Sequence, residues 1–75
     1  MPHIIVKLYA GRSEQQKAEI AEAVAQALMA SAGSAELSIS VAIEDVAPED
    51  WADKVYKPDI LDKPDQLYKK PGYRP

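Results

Sequence analysis

The stretch His3-Ile4-Ile5-Val6-Lys7-Leu8-Tyr9-Ala10-Gly11-Arg12-Ser13-Glu14-Gln15-Gln16 decides the fold. Ile4, Val6 and Leu8 alternate with His3, Ile5, Lys7 and Tyr9, so residues 3–9 read as a strand with one fully apolar face. Ala10-Gly11-Arg12 breaks the strand. Ser13 has the side chain of a helix N-cap, and Gln16, three residues on, completes a capping box. Glu14 in the first turn suits the positive end of the helix dipole. Downstream, Ile20, Val24 and Leu28 recur every four residues, with Ala21 and Ala27 beside them. This predicts one amphipathic helix of about 18 residues, ~27 Å long, running to about Ser31. Gly33 is the expected stop. Leu37-Ser38-Ile39-Ser40-Val41-Ala42-Ile43-Glu44 alternates again and predicts a second strand over 37–44. A helix of that length carries the chain back to its starting end. The two strands are therefore expected to be parallel, with a right-handed crossover.

After Val46 the texture changes. Of six prolines, four (Pro58, Pro64, Pro71, Pro75) follow residue 55. Ala47-Pro48-Glu49-Asp50-Trp51 fits the start of a short helix with Pro48 near its first position. Over 52–70 the apolar residues Val55, Tyr56, Ile60, Leu61, Leu67 and Tyr68 are scattered between prolines, which predicts short helical turns rather than another regular layer. The reading is an α/β fold and a single domain over 1–75. A βαβ core occupies about 2–46, and a Pro-rich C-terminal extension occupies 47–75.

A chain of 75 residues is one domain at most. It buries only about 60–65% of its unfolded surface, so its own core is marginal. With no Cys and a single His, it has neither disulfides nor the side chains for an intrachain zinc site. At 47% hydrophobic it is not a disordered tail. Nine Lys and Arg against twelve Asp and Glu give a net charge of -3, and the pI is about 5.0. This balance lacks the positive field that nucleic acid or an anionic membrane requires. Lys69, Lys70 and Arg74 read as a solvated tail. No apolar run reaches the roughly 18–20 residues of a membrane span, and no basic-then-apolar signal peptide opens the chain. The expected compartment is the cytoplasm.

Two parallel strands and one helix leave a sheet too narrow to stand alone. Alternation puts Ile4, Val6, Leu8, Ile39, Val41 and Ile43 on one face toward the helix, and Ile5, Tyr9 and Ala42 on the other. The strand edges also need pairing. A symmetric homodimer that joins two units into a four-stranded sheet meets both needs.

The common catalytic sets are absent. Gly occurs only at positions 11, 33 and 72, so there is no Gly-rich phosphate loop. A Cys nucleophile is impossible, and a Ser-His-Asp set would have to use His3, which no spacing supports. Glu44-Asp45 and Glu49-Asp50 read as solvated charge. Met1-Pro2 is chemically unusual. Removal of an initiator Met ahead of proline leaves Pro2 with a free secondary amine. An α-amino group titrates near 7.7–8.0 in peptides, and burial or a nearby cation lowers it further. Such an amine suits general acid–base work at the carbon next to a carbonyl. Taken alone, Pro2 equally begins a strand, Arg12 is a surface charge before a cap, and Trp51 is a core aromatic.

Read together, Met1-Pro2-His3-Ile4 and Gly11-Arg12-Ser13-Glu14-Gln15-Gln16-Lys17 resemble the start of the 4-oxalocrotonate tautomerase family. Ser38-Ile39-Ser40-Val41-Ala42-Ile43, Pro48-Glu49-Asp50-Trp51 and Lys69-Lys70-Pro71-Gly72-Tyr73 resemble its longer, dimeric bacterial subgroup, which acts on phenylpyruvate-type enols. The resemblance implies a cofactor-independent keto–enol tautomerase whose partner is a small 2-oxo acid. It implies that Pro2 is the catalytic base and that Arg12 binds the substrate carboxylate. It further implies that Trp51 lines the pocket and keeps the proline amine's pKa low. The hexameric enzymes of the family carry a second arginine where this chain has Ser40, so the resemblance implies Ser40 as a further substrate-binding residue. A serine hydroxyl donates one hydrogen bond but brings no charge, which disfavours a dicarboxylate and leaves a monocarboxylate enol. His3 is a minor candidate, since alternation turns it away from Pro2 and Ile4. Two alternatives stand beside this reading. One is hydratase or dehalogenase chemistry with the same proline. The other is a non-catalytic oligomeric carboxylate-binding module.

Overall fold

The computed structural model describes residues 1–74; Pro75, counted above in the extension, lies outside the described residues. The first strand, β1, spans His3–Tyr9, the bounds its alternation predicts. Gly11, at a φ of 124°, turns the chain out of the strand in a conformation that disfavours a side chain. The helix α1 then runs Glu14–Ala32. Its cap is the expected one: the Gln16 backbone N–H donates to Ser13 Oγ at 3.1 Å. At the far end Gly33 takes the left-handed conformation (φ 67°) that closes a helix.

The second strand, β2, spans Ser40–Val46, later than the 37–44 expected. Glu36–Ser38 instead forms a 3₁₀ turn that leaves Leu37 fully exposed. The cause is local. Ser38 sends both its backbone N–H (3.0 Å) and its hydroxyl (2.8 Å) to the Ala35 carbonyl, and that bonding competes with a strand ladder.

β1 and β2 pair in parallel, from His3 opposite Ser40 to Tyr9 opposite Val46. Ile4, Val6 and Leu8 thus share a face with Val41, Ile43 and Asp45. This is the helix face. Lys17 of α1 reaches across to Asp45 at 2.9 Å and also pairs with Glu14 at 3.2 Å.

The opposite face carries Ile5, Lys7, Tyr9, Ala42 and Val46, and the C-terminal extension packs on part of it. The extension is more regular than its sequence predicts. A 3₁₀ turn at Pro48–Asp50 leads into a ten-residue π helix at Ala52–Leu61, followed by a second 3₁₀ turn at Pro64–Gln66. Pro58 sits inside the π helix, where it has no N–H to give. The wider i→i+5 spacing is seen directly where the Asp62 N–H donates to the Lys57 carbonyl at 3.0 Å. Asp59 of this helix pairs with Lys7 of β1.

Burial is thin. Among the described residues only Val46 (8% exposed) and Val55 (5%) are apolar side chains out of water, while Ile5 and Tyr9 remain half exposed. Both buried valines lie where the extension meets the second sheet face. Among the described residues the helix face holds none, so the chain by itself has little core.

Candidate active site

The expected site residues fall at two ends of the two-stranded ribbon. At one end the Pro2 carbonyl accepts from the Ser40 N–H at 3.2 Å, which ties the start of the chain to β2. Pro2 is half-buried, and Met1 before it is fully exposed. Ser40 and His3 are direct cross-strand partners. His3 Nδ1 and Ser40 Oγ lie 2.6 Å apart, in a hydrogen bond whose direction follows the imidazole tautomer. The Ser40 hydroxyl is therefore engaged with His3, on the sheet face that also carries Tyr9.

At the other end, Arg12 lies between the Gly11 turn and the Ser13 cap. Its Nη1 donates to the Tyr9 carbonyl at 3.4 Å, a long and weak contact. Among the described residues it forms no ion pair. A guanidinium with free donors beside a helix N-terminus is chemically a carboxylate receptor.

Trp51 is near this second end. Its ring meets Tyr9 edge-on, with centroids 5.2 Å apart and planes at 82°. Its Nε1 donates to the Tyr73 hydroxyl at 2.8 Å. Tyr73 in turn lies 5.6 Å from Tyr56 of the π helix. Tyr9, Trp51 and Tyr73 line a concavity of about 220 Å³. A larger hollow of about 700 Å³ on the π helix is lined by Asp53, Tyr56, Lys57, Asp62 and Arg74 among others, and includes none of the expected site residues. Sequence reading gave no role to Tyr9 or Tyr73 in this wall. The signal for Tyr73 was its place in the Lys69–Tyr73 stretch, and nothing local shows that the tail folds back over 22 residues to reach Trp51.

The separation of the two ends is large. From Pro2 to Tyr9 is seven strand steps, about 23 Å at ~3.3 Å each. That gap is longer than a small organic acid, so Pro2 and Arg12 of one chain do not share a single small-molecule site.

Titration of the charged groups around β1 follows ion pairing. The hydrogen bond that Lys7 donates to Asp59 raises Lys7 above its ordinary 10.5, with partial desolvation opposing. Hydrogen bonds to Asp45 and then Glu14 raise Lys17 above the same value. Both lysines are thus firmly cationic and paired, and neither is a base at neutral pH. Among the described residues no helix is long and apolar enough to cross a membrane.

Comparison with known proteins gives the family. The tautomerase enzyme family matches residues 2–55. A probable tautomerase of Xylella fastidiosa (strain 9a5c) is 47% identical over 73 residues, covering 97% of this chain and 89% of that protein. The tautomerase PptA of Pectobacterium carotovorum (subsp. carotovorum, strain PC1) is 46% identical over 74 residues, covering 97% of both. TomN, a 4-oxalocrotonate tautomerase homologue in the tomaymycin biosynthetic pathway, superposes with a TM-score of 0.64 at 36% identity, covering 67% of this chain and 77% of its own. A 4-oxalocrotonate tautomerase isozyme of Methylibium petroleiphilum gives a TM-score of 0.64 at 38% identity, covering 67% and 81%. With its βαβ unit and these matches, the chain belongs to the tautomerase family of isomerases.

Proposed function

We propose that this tautomerase interconverts the keto and enol forms of a 2-oxo acid such as phenylpyruvate, as a cytoplasmic homodimer with the Pro2 nitrogen as general acid–base. The observation that carries this is the placement of Pro2 and Arg12 at opposite ends of β1. A two-fold axis that extends the sheet must reverse strand direction, so two β1 edges pair antiparallel. With the axis at Val6, the middle of β1, Pro2 faces Ala10 of the partner subunit, two residues short of its arginine. Each site then combines Pro2 from one chain with Arg12, Tyr9 and Trp51 from the other. Pairing through β2 edges leaves Pro2 and Arg12 apart. The thin core and the half-exposed Ile5 and Tyr9 supply further apolar surface for such an assembly.

The chemistry runs without a cofactor. Arg12 holds the carboxylate and brings a positive charge toward the amine. That charge and the aromatic wall both disfavour the protonated amine, so its pKa falls toward neutrality. The neutral Pro2 nitrogen takes the enol hydroxyl proton, and the C=O bond forms as the C=C bond opens. The resulting prolinium returns a proton to carbon 3. Atoms and charge balance, and the product is the keto acid. The Ser40 N–H bond to the Pro2 carbonyl supports this by fixing the direction of the amine. The His3–Ser40 pair stiffens the same end of the ribbon.

The test is turnover of phenylenolpyruvate by protein whose N-terminus has been verified by mass spectrometry. Met1-processed protein should be active. Protein retaining Met1 should be inactive, because the Pro2 nitrogen is then an amide. Pro2→Ala should lose most of its turnover, about 10²-fold or more. Unchanged turnover in the Met1-retained form or in Pro2→Ala would overturn the mechanism.

A further inference from the structure

The tail residue Tyr73 lies outside the segment that carries the family match. We propose that Tyr73 is a positioning residue that, through its hydroxyl, locks the Trp51 indole as the wall of an aryl-binding subsite, so that the C-terminal tail sets specificity for aromatic substrates. The inference rests on the function proposed above and names the part of the substrate that this end of the site selects.

Three observations meet here. The first is restraint. An indole N–H is a donor only, and Trp51 gives it to the Tyr73 hydroxyl at 2.8 Å. The edge contact with Tyr9 fixes the other side of the ring. Tyr73 is itself held against Tyr56 at 5.6 Å, so the restraint is anchored in the π helix. Trp51 therefore has a hydrogen bond at its indole N–H and a T-shaped ring contact with Tyr9. These hold both of its side-chain torsions.

The second is size. The concavity of about 220 Å³ is bounded by three rings, and its lining is chiefly apolar. A dry apolar cavity of ~150 Å³ is enough to take benzene. This concavity is open to solvent, so a phenyl group would lie against its wall with one side exposed, and a short alkyl chain would cover less of that wall.

The third is charge. Arg12 carries no carboxylate partner among the described residues, and its guanidinium lies on the carbonyl of Tyr9, one of the three wall residues. A free cation next to a half-exposed aromatic wall is complementary to a molecule with an aromatic ring at one end and an anion at the other. The larger hollow on the π helix sets Asp53 and Asp62 against Lys57 and Arg74, so its charge is mixed, and Lys57 is paired with Asp62.

The discriminating variants are Tyr73→Phe, which keeps the ring on Tyr56 and removes the acceptor for Trp51, and Tyr73→Ala, which removes both. Deuterium uptake at carbon 3 is followed in D2O for phenylpyruvate and for 2-oxobutanoate, which lacks the ring. Binding of unreactive 3-phenylpropanoate is read from the fluorescence of Trp51, the only Trp in the chain. Tyr73→Phe should raise KM for phenylpyruvate and Kd for 3-phenylpropanoate by about 2- to 10-fold, the range that one net hydrogen bond spans. It should leave kcat and all 2-oxobutanoate parameters within about twofold, and Tyr73→Ala should exceed it in the same direction. Unchanged aryl affinity in both variants overturns the proposal. So does an equal loss for both substrates, which is the mark of a merely structural tail. If wild-type protein binds 3-phenylpropanoate in a Tyr73-dependent way yet exchanges no proton on phenylpyruvate, the subsite stands and the substrate reading falls.

Discussion

Replacing Arg12 by Gln separates binding chemistry from stability. Among the described residues the Arg12 head makes one hydrogen bond, to the Tyr9 carbonyl at 3.4 Å, and the residue is exposed. A long contact of this kind adds little to the fold, so the change in folding free energy should stay within about 0.5 kcal/mol. The loss in catalysis should be larger. A hydrogen bond to a charged group is worth about 1.5–3 kcal/mol. At about 1.4 kcal/mol per factor of ten, that is roughly a 10- to 150-fold fall in kcat/KM for phenylenolpyruvate. Arg12→Lys keeps the charge but loses the two-pronged geometry, and should fall between wild type and Arg12→Gln. The assay is initial-rate kinetics paired with a thermal melt at one fixed protein concentration, since the proposed dimerisation would make the melt depend on it. An unchanged kcat/KM in Arg12→Gln refutes the carboxylate role. A fall that is matched by a collapse of the melting temperature refutes the reasoning too, because it moves Arg12 from the site to the scaffold.

Two further predictions concern the scaffold. Val55→Ala deletes the most buried apolar side chain of the extension and should destabilise by about 1.6 kcal/mol from lost burial, rising toward ~2.5 kcal/mol where the cavity does not close. Denaturant unfolding checks this, and a change near zero means the π helix is not docked through Val55. Alkaline pH should act through Lys7 and Lys17. Both have folded pKa values raised above 10.5, so their stabilisation is fully present below that pH and is lost as pH rises through the folded values. Melting temperature against pH should show this loss above about 10.5, and a Lys7→Met, Lys17→Met double variant should lack it.

The parts of the fold that were legible in sequence are those set by neighbours along the chain. Alternation gave β1 its bounds. Ser13 and Gln16 marked the helix start, and Gly33 its end, because a cap bond spans three residues and a left-handed stop needs only one. β2 was misplaced by three residues because Ser38 bonds back to Ala35, a choice that hydrophobic alternation does not register. The π helix was unreadable for a different reason. Pro58 argues against any helix, and what carries the segment through it is packing of Val55 and pairing of Asp59 with Lys7, contacts about fifty residues apart in sequence. The site divides in the same way. Arg12 at a capped strand end is a local signal. The meeting of Tyr9, Trp51 and Tyr73 is not, since it depends on a tail that returns to the strand end. The engagement of Ser40 by His3 follows from strand register, which was open until the two strands were paired.

In the proposed dimer each active site draws Pro2 and Arg12 from different chains. Subunit mixing tests it. Pro2→Ala and Arg12→Gln proteins, each nearly inactive alone, are unfolded together in equal amounts and refolded. Half of the resulting dimers are mixed, and in each of these one site carries both defects while the other is intact. Activity should recover to about one quarter of the wild-type level, since half of the dimers each regain one of their two sites. If both groups belong to one chain, every mixed site carries one defect. Activity then stays at the level of the parents, and that result contradicts the account.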